Sequence, residues 1–152
     1  MAIYLENTAF GMGAISLTSI TTTAKVYAGQ AEGAQTKDTT ATAIDMSKWS
    51  GNYKDRSVVR LTCVKDVVGP AYLVVTFYYL PSASTATGKE TCYDTHKIPL
   101  KVINGAKFTP LEFSLPSVGG EDCRYVRMEI AGDGTTAVSS GAVLATVEQT
   151  RL

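Results

Sequence analysis

The chain has 152 residues, 45% hydrophobic and 18% charged, an ordinary globular composition somewhat poor in charge. Lysine plus arginine and aspartate plus glutamate stand at 14 each, so no broad field draws the molecule to nucleic acid or to an anionic membrane. One domain of this length buries about 70% of its unfolded surface and needs no staples.

The opening, MAIYLENTAF, has neither a basic n-region nor a long apolar core, and no run approaches 18 apolar residues. The expectation is a protein made in a cytosol, without leader or transmembrane helix. Cys63, Cys92 and Cys123 lie far apart with no CxxC pair. An odd count in that setting points to reduced thiols. Cys63, in an apolar strand, reads as core packing.

Residues 1–23 are rich in Gly, Ala, Ser and Thr, with apolar anchors at Ile3, Tyr4, Leu5, Phe10, Ile15, Leu17 and Ile20. The segment reads either as an extended N-terminal arm or as the first strand and loop of the domain, which then occupies residues 24–152. Ala24–Ala28 is a short strand, and 29–42 is a polar loop longer than compact domains usually carry. Ala43–Trp49 returns to the core through Ile44 and Met46, and Ser50-Gly51-Asn52 turns the chain between Trp49 and Tyr53.

Ser57–Val68 is a strand with Val59, Leu61 and Cys63 on one face, closed by Gly69-Pro70. Tyr72–Leu80 (YLVVTFYYL) is apolar on both faces and belongs in the middle of a sheet, covered on both sides. After the small polar loop 81–88, Thr91–Ile103 holds one or two short strands, and Pro99 argues for an edge. Asn104-Gly105 is the strongest hairpin signal in the chain. Phe108–Leu115 follows, with Leu111, Phe113 and Leu115 in phase.

The C-terminal stretch Cys123–Glu148 reads as two strands joined by the turn Gly132-Asp133-Gly134. In the first, Val126, Met128 and Ile130 share one face, and Tyr125, Arg127 and Glu129 the other. In the second, Val143, Ala145 and Val147 share a face. Seven to nine short strands, Gly/Pro punctuation and no convincing helical periodicity indicate an all-β fold. The expected form is an antiparallel β-sandwich, jelly-roll-like, with an extended N-terminal arm.

Chemistry is sparse. His96 is the only histidine, and Asp94 shares its strand face with Cys92 two residues further back. A triad or a metal site would have to run through it, whereas the plain reading is a strand with a polar face. Phe10-Gly11-Met12-Gly13 and Gly132-Asp133-Gly134 lack the third glycine and the following lysine of phosphate loops and read as turns. Tyr4, Phe10, Trp49 and Tyr53 are the residues placed as interface anchors. Trp49 and Tyr53 also suit a sugar-stacking platform, and simple packing remains open for them.

Several stretches resemble the capsid cement (decoration) proteins of tailed phages, the group that includes the cementing proteins of Bordetella podophages. They are Ala43-Ile44-Asp45-Met46, the strand YLVVTFYYLPSAS, Leu115-Pro116, Arg124-Tyr125-Val126-Arg127-Met128 and Gly141-Ala142-Val143-Leu144-Ala145. The likeness covers roughly residues 41–150 and implies a non-enzymatic virion protein, made in the host cytoplasm. Such a protein forms a small homo-oligomer (dimer or trimer) on the outer capsid surface and bridges major capsid protein subunits. No cofactor, metal, nucleic acid or membrane is implied. A phage tail, fibre or carbohydrate-binding jelly-roll module is the alternative.

Overall fold

The computed structural model describes residues 2–3, 9–28, 43–45, 56–80, 92–114 and 125–150. These residues form two antiparallel sheets. In the first (sheet A), β10 (Ser140–Thr150) lies between β5 (Arg56–Val68) on one side and β1 (Ala2–Ile3) with β2 (Ala9–Ser16) on the other. Beyond β5 comes β8 (Leu111–Ser114). In the second (sheet B), β6 (Tyr72–Leu80) lies between β7 (Cys92–Pro99) and β9 (Tyr125–Ala131). The short β3 (Val26–Ala28) and β4 (Ile44–Asp45) take the far side of β9.

Period-2 alternation explains how the sheets meet. Val59 and Leu61 of β5, and Val143, Ala145 and Val147 of β10, turn toward Val75 and Phe77 of β6 and Val126, Met128 and Ile130 of β9. All are essentially inaccessible and belong to one apolar cluster. Phe10 and Phe77 join the sheets with ring centroids 6.2 Å apart. The all-β expectation holds at this level, and β6 and β7 take the central and edge places that their sequences suggest.

Of the two readings left open for residues 1–23, the strand reading fits residues 9–20. Phe10, Ile15, Leu17 and Ile20 are buried, the Leu17 amide donates to the Gly141 carbonyl, and the Val138 amide donates to that of Ile20. The turn Gly132-Asp133-Gly134 joins strands of different sheets, and residues 132–139 cross from β9 to β10. Both faces of β9 are covered, with Arg127 1% and Glu129 4% exposed. One expectation is corrected: in place of a hairpin, Asn104-Gly105 closes a helical turn, α1 (Leu100–Gly105), that carries the chain from β7 to β8.

The last of these has a clear cause. Asn104 uses its amide on the backbone of β5, its Oδ1 accepting from the Val67 amide at 2.8 Å and its Nδ2 donating to the Val67 carbonyl at 3.0 Å. The side chain thereby makes the two bonds that a neighbour strand would give Val67, and Ile103 beside it is buried. A six-residue helix is too short to show periodicity, so only the turn chemistry was visible in sequence.

Two crossings between the sheets are laced together at one end. Asp133 accepts from the Ala71 amide at 2.8 Å and from the Thr135 and Thr136 amides at 2.9 Å. These backbone bonds, Ala71 first, hold its carboxyl well below the usual carboxylate range. Gly69 has φ +131°, and a Cβ there would lie 2.2 Å from the Ala137 carbonyl oxygen. Only glycine fits where the two loops touch.

Candidate functional site

Among the described residues, the grouping with most potential for chemistry sits where His96 of β7 meets Phe113 of β8. Alternation along β7 sends Asp94, His96 and Ile98 to the inner face, with Ile98 buried and the other two half-buried. His96 Nε2 lies 3.0 Å from Asp94 Oδ2. Its ring packs at 4.8 Å from Phe113 of β8 and 6.0 Å from Phe77 of β6. Asp94 and His96 do share a face, as their spacing indicates, and that face looks inward at the edge of sheet B.

A histidine–carboxylate pair becomes catalytic only with a group to deprotonate or a metal to hold. Among the described residues no hydroxyl or thiol hydrogen-bonds to the His96 ring, and no group of three or more His, Cys, Asp or Glu could hold a metal ion. Cys63 is buried, with Sγ donating to the Lys65 carbonyl at 3.3 Å. Burial, then the nearby Asp66, pushes its thiol up, which makes it a poor nucleophile.

Of the four anchors singled out in sequence, Tyr4, Trp49 and Tyr53 lie outside the described residues. Phe10 is fully buried, so its ring serves the domain's own core. A different aromatic is open: Phe108, on the turn after α1, is 98% exposed. Its sequence signal was phase, since Leu111 and Phe113 share one parity along β8 and Phe108 has the other. Val102 of α1 is also exposed.

A buried polar arrangement lies on the outer face of sheet B. The Tyr78 hydroxyl donates to Glu129 Oε2 at 2.8 Å, and Lys25 Nζ approaches Glu129 Oε1 at 3.3 Å. Thr76, also buried, shares a hydroxyl contact of 3.2 Å with Thr95 of β7. Each of these groups is engaged, which suits cohesion of the sheet.

Among the described residues no helix is long and apolar enough to cross a membrane. No protein-family model matches the chain, and no curated protein matches it.

Proposed function

We propose that this chain is a non-enzymatic capsid cement protein: a jelly-roll domain that sits as a small homo-oligomer on the outer surface of a phage capsid and bridges major capsid protein subunits. The observation that carries the reading is where the resembling stretches fall. Ile44-Asp45, YLVVTFYYL, Tyr125–Met128 and Gly141–Ala145 fall on β4, β6, β9 and β10, three of the four inner strands and one short partner. A resemblance that lies in scaffold strands suits a protein whose task is mechanical.

The jelly-roll reading is supported by the strand orders β2-β10-β5-β8 and β3-β9-β6-β7, in which the chain passes back and forth between two sheets. An arm role for the N-terminal segment has to exclude Phe10, Ile15, Leu17 and Ile20, whose side chains are buried in the core. Phe108 is the exposed ring best suited to anchor a partner. Each contact can be weak, because a symmetric oligomer engages several subunits at once.

The test is co-sedimentation of the purified chain with emptied capsids of a phage that encodes it. Saturable pelleting at a fixed ratio to the major capsid protein, weakened by Phe108→Ser, is the expected result. A chain that stays in the supernatant at micromolar concentration overturns the reading.

A further inference from the structure

We infer that β7 is a self-pairing edge: two copies of this chain join sheet B to sheet B by antiparallel pairing of β7 with the partner's β7, centred on Thr95. The inference names the partner behind the homo-oligomer proposed above, but it rests on the geometry of the edges.

Natural sheets guard their edges, because unpaired backbone groups template association. Among the described residues one rival edge, β2, is guarded by irregularity, since its register with β10 jumps between Ile15 and Phe10. By contrast β7 runs for eight residues in unbroken register with β6, from Tyr72 opposite Pro99 to Tyr79 opposite Cys92. No strand among the described residues lies on its other side. The one lysine on the strand, Lys97, does not blunt the edge, since its Nζ lies 4.0 Å from the centroid of the Tyr72 ring on β6.

Charge fixes both partner and register. A two-fold axis normal to the sheet keeps inner faces inner, so each residue must face one of its own parity. With Thr95 opposite the partner's Thr95, Asp94 stands opposite the partner's His96, and His96 opposite the partner's Asp94. The two Asp–His pairs then form a four-membered cluster of alternating acceptor and imidazole. Moving the centre by one residue would set Asp94 opposite the partner's Asp94, or His96 opposite the partner's His96. Centring on Thr95 is therefore the favoured arrangement, and it leaves β6 and its partners undisturbed.

The experiment uses the full chain without capsids. Facing residues at the centre of such a pair have Cα atoms about 4.5–5.5 Å apart, within disulfide reach. Thr95→Cys, mildly oxidised, is expected to give a covalent dimer well above the background of the parent chain. Lys97→Cys, displaced from the axis, should stay at that background. Asp94→Lys, which sets a lysine opposite the partner's His96, should weaken self-association at least tenfold in sedimentation equilibrium. Equal crosslinking at positions 95 and 97, or none at 95, overturns the pairing. A chain that fails here yet binds capsids leaves the cement reading standing. A Thr95-linked dimer that ignores capsids does the reverse.

Discussion

The outer faces of the two sheets each carry an ion pair between a basic side chain and a glutamate, and the two pairs differ most in setting. On sheet A, Arg60 Nη2 and Glu112 Oε1 are 3.1 Å apart, with side chains 39% and 58% exposed. On sheet B, Lys25 and Glu129 are 3.3 Å apart, and the Glu129 side chain is only 5% exposed. Water screens the first pair and replaces its bonds readily when one partner is lost. The second has a carboxylate out of water, so removing what satisfies it leaves a buried charge short of partners. Burial, and not distance, decides what such a pair does for stability.

The comparison can be broken most directly at Glu129. Glu129→Ala should cost about 3 kcal/mol, because it removes the Tyr78 bond to a charged group and empties the place of a buried side chain. A urea denaturation midpoint close to that of the parent would show that the burial argument fails. Tyr78→Phe removes one bond to a charged group and should cost about 1.5 kcal/mol, read in the same way. Glu112→Ala is the control on the exposed face and should stay within about 0.5 kcal/mol. A loss as large as that of Glu129→Ala would erase the distinction between the faces.

Asp133 sharpens the contrast from a third setting, the crossing end. Its folded carboxyl is held below the unfolded value by three amides. As pH falls, the unfolded state takes up the proton first, so this contribution is complete above about pH 4 and fades toward stronger acid. Asp133→Asn should therefore be less stable than the parent at neutral pH, and the gap should narrow below about pH 4. Parallel denaturation midpoints for the two chains across that window would contradict the assignment.

Much of this architecture was legible where one side of a strand had to be apolar. The alternation in β5 and β10, the doubly apolar β6 and the edge marked by Pro99 all follow from pleat and hydrogen-bond supply. What was hidden depended on partners remote in sequence. Alternation in β9 gave the right two faces but could not say that Arg127 and Glu129 are covered. Gly132-Asp133-Gly134 announced a turn but not which sheet the chain enters next. Asn104-Gly105 has the composition of a hairpin, and only the bonds of the asparagine to the backbone of Val67, remote in sequence, explain why it is used otherwise. At the rim, Asp94 and His96 could be placed together by spacing, whereas Phe113 arrives from the other sheet.

The pairing at the heart of sheet A carries a consequence for how the molecule is made. β10 runs beside β5 along nearly its whole length, with Val143 opposite Cys63 and Thr150 opposite Arg56. Everything from β6 to β9 must be looped out before that ladder can close, so chain-closure entropy falls due before the contacts that offset it form. Acquisition of structure should accordingly be slow, on the order of milliseconds to seconds. During synthesis β5 waits with one side unpaired until β10 has emerged, and this is the interval in which a chaperone would be most useful.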